Sequence, residues 1–145
     1  MKIVLQRVSR AKCTVDGKIT GEIKKGYLLL VGYTNGDNEV LNDKAVKKIS
    51  NLRIFEDENG KMNLDIKKVG GSILAISQFT LYANTNEGNR PSFTEALNPQ
   101  EAKKLYLSFC DKLRKNDIFV GEGIFGAHMD IDFLNDGPVT IIFEF

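Results

Sequence analysis

The run GYLLLVGY at residues 26–33 constrains the fold more than any other stretch of this sequence. Its centre is continuously apolar, whereas a strand with one solvated face alternates polar and apolar side chains. The run therefore predicts a strand that is covered on both faces. Around it the patterns follow the order strands, helix, strands, helix, strands. This order predicts a single domain in which helices pack on mixed β-sheet.

Two helices are predicted from apolar residues at helical spacing and from their N-terminal caps. Asp37 or Asn38 could cap the first helix. The apolar positions of this helix are Val40, Leu41, Ala45, Ile49 and Leu52. In the second helix Asn98 is the expected cap, Pro99 takes the first helical position, and Glu101 sits where a capping box needs it. Its predicted buried face consists of Ala102, Leu105, Tyr106, Phe109 and Leu113.

The remaining apolar patterns are typical of strands and are separated by turn signals. Tight turns are predicted at Asp16-Gly17, before a return strand with Ile19 and Ile23, and at Asn59-Gly60. Residues 84–93 are polar and are predicted to form a long loop. The other expected strands cover residues 2–8, 11–15, 53–55, 62–64, 72–83, 117–122, 127–134 and 139–145.

Composition limits the classes of function. The chain has 20 basic and 19 acidic residues and a net charge of +1, so binding of a polyanion must come from a local patch. Cys13 and Cys110 are far apart and indicate buried thiols in a reducing compartment. The N-terminus does not resemble a signal peptide, and no apolar run approaches the ~20 residues of a membrane span. We expect a cytoplasmic protein with no membrane association.

Most catalytic motifs are missing. His128 is the only histidine and has no acidic cluster around it, so we expect no metal and no cofactor. The stretch GEGIFG at 121–126 satisfies the dinucleotide motif G-x-G-x-x-G, but a strand-like pattern follows it instead of a helix. We reject nucleotide binding here. The glycines are expected to permit a bulge or a close backbone approach.

Two short stretches leave their roles open. Ser77 and Thr80 in SQFTLYA could be nucleophiles, but the sequence places no base beside either hydroxyl. As part of a strand, Ser77 would share a face with Phe79, and Thr80 with Gln78. In NDGPVT, residues 135–140, the dipeptide Gly137-Pro138 is either a turn before the last strand or part of a site.

SQFTLYA and NDGPVT together resemble the S-Q-x-x-L and N-x-G-P-x-T motifs of the D-aminoacyl-tRNA deacylase family. GNRPSF at 88–93, GIFGAHM at 123–129 and the opening MKIVLQRVSRAKCTVDG also resemble segments of that family. The resemblance covers essentially the whole chain. One difference is that the family often has two basic residues where this chain has Asn89-Arg90.

The resemblance implies one α/β domain over residues 1–145, with mixed, largely antiparallel β-sheets in a barrel-like arrangement and two main helices packed on one side. It also implies a homodimer that hydrolyses the ester between a D-amino acid and the 3′-terminal adenosine of tRNA. The residues expected to carry catalysis are Ser77, Gln78, Phe79 and Thr80. The residues expected to bind the substrate are Gly137, Pro138, Phe125, Ala127, Met129 and Arg90.

The family mechanism implies that the Gly137-Pro138 bond is cis and that this motif enters the pocket of the other subunit. There it would exclude L side chains, while glycine, which has no side chain, would also be accepted. The backbone N–H groups near Phe79 and Thr80, with Gln78, would stabilise the oxyanion, and the 2′-hydroxyl of the RNA would assist the reaction. One alternative is Thr80 as the nucleophile. Another is a tRNA-binding protein of the same fold without activity.

Contacts to tRNA would need basic residues. Arg7 and Arg90 are the best individual candidates, either for RNA or for holding the dimer motif. Basic pairs are further candidates, although most such pairs are solvated surface. These pairs are Lys24-Lys25, Lys47-Lys48, Lys67-Lys68, Lys103-Lys104 and Arg114-Lys115.

Overall fold

The computed structural model describes all residues, 1–145, as eight strands, two α-helices and one short 3-10 helix at Phe79–Tyr82. The strands are β1 (Lys2–Val15), β2 (Lys18–Ile23), β3 (Gly26–Gly32), β4 (Phe55–Glu56), β5 (Met62–Leu64), β6 (Ser72–Ser77), β7 (Val120–Glu122) and β8 (Asp130–Glu144). The helices are α1 (Glu39–Ser50) and α2 (Pro99–Arg114).

Strand β1 organises the main sheet because it is long enough to serve three partners. Its first half pairs antiparallel with β3, and its second half pairs with β2 through the Asp16-Gly17 turn. Along its other edge it pairs with β8 from Lys2 to Thr14. Strands β3, β6 and β7 then pair in parallel. The six-stranded sheet is therefore mixed, with the order β2-β1-β3-β6-β7 and β8 attached to β1.

The sheet curls until β2 approaches β7, which nearly closes a barrel. A Cβ atom placed on Gly21 of β2 would lie only 2.7 Å from the carbonyl oxygen of Glu122 in β7. Only a residue without a side chain permits this approach. The expected fold class, mixed sheet in a barrel-like arrangement with two helices on one side, is confirmed.

Two apolar clusters lie on opposite faces of the sheet, and β3 contributes to both. Tyr27, Leu29 and Val31 belong to a cluster of 22 buried residues that also contains the inner faces of α1 and α2. Leu28 belongs to a second cluster of eight buried residues, against which Leu30 packs. The prediction that this strand is covered on both faces is therefore confirmed.

Both helices begin where the sequence predicts. The Asn38 side chain accepts a hydrogen bond from the Val40 N–H at 3.0 Å and caps α1. The Asn98 side chain accepts from the Glu101 N–H at 3.1 Å and caps α2, whose first residue is Pro99. Val40 is 61% exposed, so its assignment to the apolar face of α1 was wrong. It lies in the first turn, beyond the reach of the core.

Several strand boundaries differ from the prediction. The expected strand 53–55 is β4 at Phe55–Glu56, and the expected strand 117–122 is reduced to β7 at Val120–Glu122. Residues 2–8 and 11–15 form one strand, since β1 bends with shifts of register and does not break. The expected strand 72–83 ends at Ser77, and a 3-10 helix follows. Residues 127–134 and 139–145 are not separate strands, because β8 runs through NDGPVT to Glu144 and starts only at Asp130. Pairing with the long β1 keeps both halves of β8 extended.

The two cysteines and the GEGIFG stretch agree with the predictions made for them. Cys13 and Cys110 are buried and free. No helix follows GEGIFG. A Cβ atom on Gly123 would lie 2.3 Å from the sulfur of Met129, so this glycine permits a close approach, as predicted. No group of three or more His, Cys, Asp or Glu side chains could hold a metal ion. None of the helices combines the length and the apolar character that crossing a membrane requires.

Candidate functional site

A pocket of about 260 Å³ opens where the parallel strands β3 and β6 end. The carboxyl ends of adjacent parallel strands meet at one edge of a sheet, which is a common position for ligand sites. The start of α2 and the loop after β7 supply the other walls. The pocket is lined by Val31, Gly32, Tyr33, Ile76, Ser77, Gln78, Phe79, Leu97, Ala102, Phe125, Gly126, Ala127, His128, Met129 and Ile131.

The SQFT stretch borders this pocket, and within it the chain changes from strand β6 to the 3-10 helix. The Gln78 N–H still donates to the Val31 carbonyl at 2.8 Å and continues the pairing of β6 with β3. The chain then turns, and the Leu81 N–H donates to the Gln78 carbonyl. In such a first turn the N–H groups of Phe79 and Thr80 have no acceptor within the helix, and they donate to no other backbone carbonyl.

The predicted alternation of faces over residues 77–80 was therefore wrong. Ser77 and Gln78 are half-buried in the pocket, whereas Phe79 and Thr80 are exposed at the turn. The Gln78 side-chain amide donates to the Thr80 hydroxyl at 2.5 Å. This is the only side-chain hydrogen bond of Thr80, so no basic side chain activates its hydroxyl.

The loop after β7 forms the opposite wall. Phe125 packs against Tyr106 of α2 with ring centroids 5.9 Å apart, and it joins the larger core cluster. Ala127 and Met129 pack on the smaller cluster inside the barrel. Both core clusters thus fix the position of this loop, and apart from His128 the wall that it offers to a ligand is apolar.

The titratable groups around the pocket offer little acid–base chemistry. Burial raises the pKa of Tyr33 above its ordinary value, and its hydroxyl donates to the Asn42 side chain at 2.9 Å. Burial likewise raises the pKa of the Cys110 thiol, in the nearby core, to about 12. His128 lines the pocket, but its side chain is 93% exposed and lies 3.7 Å from Asp130. Stabilisation by fixed dipoles therefore suits this pocket better than proton transfer by the protein.

An aromatic pair stands at the mouth of the pocket, and the sequence reasoning missed one of its members. Phe79 and Phe93 meet edge to face with centroids 5.1 Å apart, although they are 57% and 37% exposed. Phe93 comes from the loop that follows the 3-10 helix, where Asn84 and Ser92 form a bridge. The sequence did contain a signal for Phe93, because an aromatic residue stands in the polar stretch GNRPSF, which is not predicted to contribute to the core.

The Gly137-Pro138 segment protrudes from the edge of the sheet. The register pairs Gln6 with Thr140 and Val8 with Asn135, so a single residue of β1 faces residues 136–139 of β8. Gly137 and Pro138 are exposed, and their peptide bond is cis. Neither residue lines the pocket of its own chain. Gly137 has a φ of +130°, and a Cβ atom there would lie 2.8 Å from the Val139 side chain.

Polar residues on both sides of this segment hold it in place. The Arg7 side chain is 94% buried and donates to the carbonyl oxygens of Asp136 at 3.1 Å and of Ile54 at 2.7 Å. The Asn135 side chain accepts from the Val139 N–H at 3.2 Å. The Gln6 side chain accepts from both Asn135 and Thr140, which explains why asparagine and threonine bracket the dipeptide.

The sequence-predicted residues lie at three places in the structure. Six of them line the pocket together: Ser77, Gln78, Phe79, Phe125, Ala127 and Met129. Thr80 lies beside the pocket through its bond to Gln78. Arg90 is exposed in the loop that carries Phe93 and does not line the pocket. Gly137 and Pro138 also lie outside it, on β8.

A family model described as D-Tyr-tRNA(Tyr) deacylase matches residues 4–144 of the chain. The protein belongs to this family. A D-aminoacyl-tRNA deacylase from Deinococcus radiodurans is 51% identical over 144 residues, which cover 99% of each chain. One from Fusobacterium nucleatum is 55% identical over 144 residues, covering 99% of this chain and 95% of the relative.

Solved structures agree with the fold. A structure described as "c-Myc DNA Unwinding Element Binding Protein" superposes with a TM-score of 0.92 at 40% identity and covers 99% of this chain and 98% of its own. A second, described as "Structural Analysis of a probable eukaryotic D-amino acid tRNA deacylase", has a TM-score of 0.86 at 16% identity, with coverage of 98% and 97%. At that identity the second likeness concerns the fold alone.

Proposed function

We propose that the protein hydrolyses the ester bond between a D-amino acid and the 3′-terminal adenosine of tRNA. The observation that carries this proposal is the family match over residues 4–144, in a chain whose SQFT stretch and 125–129 loop enclose one pocket. An aminoacyl group fits a cavity of about 260 Å³ with apolar walls. The exposed pair Phe79 and Phe93 offers the terminal base an aromatic surface for stacking.

Catalysis in this proposal relies on orientation and on oxyanion stabilisation. The Phe79 and Thr80 N–H groups are free of backbone acceptors and would donate to the oxygen that becomes negative in the tetrahedral intermediate. Gln78 would orient the ester or the water. The neighbouring 2′-hydroxyl of the ribose assists the attack of water on the ester carbonyl. Tyr33 and Cys110 are poor candidates for the base, because their raised pKa values keep both protonated near neutral pH.

Selectivity in this proposal comes from a second copy of the chain. The Gly137-Pro138 segment of one subunit would enter the pocket of the other and occupy the space that an L side chain needs. Its exposure, its protrusion and its separation from its own pocket support this role. A D side chain points away from the segment and is accepted. Glycine has no side chain for the segment to exclude, so glycyl-tRNA is also a substrate.

The unpaired edge of β8 supports the homodimer. No strand pairs with this edge, although β8 has 15 residues and exposes Phe133, Leu134 and Ile142 by 36%, 53% and 66%. Long apolar edges of this kind invite association and are usually covered in native proteins. A second subunit would cover this edge and bring the two protruding segments toward the facing pockets.

Deacylation of D-tyrosyl-tRNA, compared with L-tyrosyl-tRNA, tests the function. We expect the D ester to be hydrolysed and the L ester to be preserved. Equal hydrolysis of both, or of neither, would contradict the proposal, and binding of tRNA without hydrolysis would identify an inactive member of the fold.

A second comparison separates the two catalytic routes. A D-tyrosyl-tRNA that ends in 2′-deoxyadenosine should not turn over if the 2′-hydroxyl assists the reaction. Thr80→Ala should keep far more activity than loss of a nucleophile allows, whereas an acyl-enzyme trapped on Thr80 would establish the alternative.

A further inference from the structure

Two shallow grooves adjoin on the helical side of the protein, away from the pocket. One groove, of about 310 Å³, lies between the C-terminal halves of α1 and α2. The other, of about 620 Å³, follows the end of α1 toward Arg53. The grooves share Lys47 and Asn51, so they form one continuous surface. Its basic residues, here called the helical basic surface, are Lys44, Lys47, Lys48, Arg53, Lys112 and Lys115.

Positive charge is concentrated on this surface. The two grooves contain six of the 20 basic residues and only one of the 19 acidic residues, Asp43. The rest of the chain therefore has 14 basic and 18 acidic side chains and a negative net charge. A protein with a net charge of +1 thus has one face that can attract a polyanion.

Most of these cations have no partner in the protein. Lys112 bonds to Glu39 at 2.8 Å and to Asp43 at 2.5 Å, which neutralises the one acidic residue of the grooves. Lys44, Lys47 and Lys48 form no ion pair, and neither does Lys115. On α1 the first three lie at i, i+3 and i+4, where like charges repel each other and destabilise a helix. A bound anion would remove this repulsion.

We propose that the helical basic surface binds the sugar–phosphate backbone of the paired acceptor stem of tRNA, a proposal that rests on the function proposed above. Lysine side chains on a shallow groove suit phosphates without reading bases. A membrane surface fits less well, because Val46 is buried and Leu52 is half-buried, so no apolar side chain projects to enter a bilayer.

The distance between this surface and the pocket fits a tRNA end. Ala102 of α2 lines the pocket, and Lys115, just beyond the end of the same helix, lines the groove. Lys115 follows Ala102 by 13 positions, which corresponds to about 20 Å at a rise of ~1.5 Å per residue. The unpaired nucleotides at the 3′ end of tRNA can bridge such a distance, with the terminal adenosine in the pocket and the duplex on the helices.

The test compares two triple variants that change the charge by the same amount. Lys47→Glu, Lys48→Glu and Lys115→Glu together reverse the helical basic surface. The control reverses Lys12, Lys18 and Lys61, which lie outside both grooves and outside the basic pairs named as tRNA candidates; Lys18 and Lys61 are exposed and Lys12 is half-buried. Each protein is assayed with D-tyrosyl-tRNA and with D-tyrosyl-adenosine, which has the reacting ester but no stem. Circular dichroism verifies that both variants fold.

We expect the first variant to lose about 10- to 100-fold in kcat/KM on D-tyrosyl-tRNA at low salt. The slope of its log kcat/KM against log salt concentration should become shallower by about 1 for each phosphate-contacting lysine that is removed. Its rate on D-tyrosyl-adenosine should be unchanged, and the control should retain activity on both substrates. Equal activity of the two variants on the tRNA, or an equal loss on tRNA and adenosine ester, would overturn the proposal.

Binding of uncharged, fluorescently labelled tRNA gives a readout that does not need catalysis. The first variant should bind tRNA more weakly than the control. If it does so while the protein hydrolyses neither substrate, the proposed function is refuted and the proposed surface stands. Unchanged affinity for tRNA would refute the surface alone. If the variant instead loses affinity only for a DNA duplex of matched charge, the surface is a DNA site and the proposal is wrong.

Discussion

Arg7 shows how one buried side chain can hold an exposed segment in a defined shape. The sequence left two roles open for it, contact with RNA or support of the dimer motif. A side chain that is only 6% exposed cannot serve a large external ligand. Its guanidinium instead joins the Asp136 carbonyl, next to Gly137, to the Ile54 carbonyl before β4, and Asp136 and Glu56 supply the compensating charge.

Arg7→Lys tests this support while it keeps the charge. An ammonium cannot reproduce the planar fork that reaches two carbonyl groups in different directions. We expect a loss of about 1–3 kcal/mol in the free energy of unfolding, because at least one buried acceptor loses its partner. The Gly137-Pro138 segment should also become less fixed, which lowers the ratio of D- to L-tyrosyl-tRNA hydrolysis.

Arg10→Lys is the matched control. Arg10 pairs with Asp132 at the surface, where both side chains are more than half exposed. Water screens an exposed ion pair, so this pair adds little stability, and urea denaturation and selectivity should change little. If Arg7→Lys behaves like this control in both measurements, Arg7 does not position the segment.

At the scale of elements, periodicity and caps predicted the helices, the hairpins and β3, because those signals are local. The pattern could not show that β6 stops at Ser77, since SILAISQFTLYA stays apolar enough for either a strand or a 3-10 turn. It also could not show that β8 continues through NDGPVT, where the decisive contacts come from Gln6 and Arg7 on β1. The predicted site residues thus lie close to the strand boundaries that were predicted wrongly. At these places tertiary contacts outweigh the local sequence preference for secondary structure.

The two helix caps offer a prediction at this scale. Asn38→Ala and Asn98→Ala each remove a side-chain acceptor from a helix N-terminus, and each should cost about 1 kcal/mol of stability. The start of α1 is not in the pocket, whereas Leu97 and Ala102 on both sides of the α2 cap are. We therefore expect a raised KM for D-tyrosyl-tRNA only in Asn98→Ala.

Thermal melting and steady-state kinetics on both cap variants measure the two effects. The stability losses should be similar, and the difference in KM should remain at a temperature where both proteins are fully folded. Equal KM values would mean that the pocket wall does not depend on the first turn of α2.

At the scale of the whole molecule, the residues predicted to form the site lie in separate places on a single chain. The pocket lies at the ends of β3 and β6, and the protruding Gly137-Pro138 segment lies on β8, whose outer edge is unpaired. In the homodimer that we propose, each site would combine the pocket of one subunit with the segment of the other. A chain with a damaged pocket would then still supply a working segment.

This division predicts that two inactive variants restore activity when they assemble together. Gln78→Ala damages the pocket. Gly137→Ala forces a Cβ atom to within 2.8 Å of the Val139 side chain at a φ of +130°, and displacements of about 1 Å at a site can cost ~100-fold in rate. In a mixed dimer, the intact pocket of the Gly137→Ala subunit receives the intact segment of the Gln78→Ala subunit. The other site combines both defects and is inactive.

Co-expression with two different affinity tags isolates the mixed dimer. Its rate on D-tyrosyl-tRNA should approach half that of a wild-type dimer, while each parent dimer remains inactive. A chain that carries both substitutions, paired with a wild-type chain, is the matched control. There one site has a damaged pocket and the other a damaged segment, so both should fail. If pocket and segment instead act within one chain, the results reverse: the mixed dimer is inactive and the control keeps one working site.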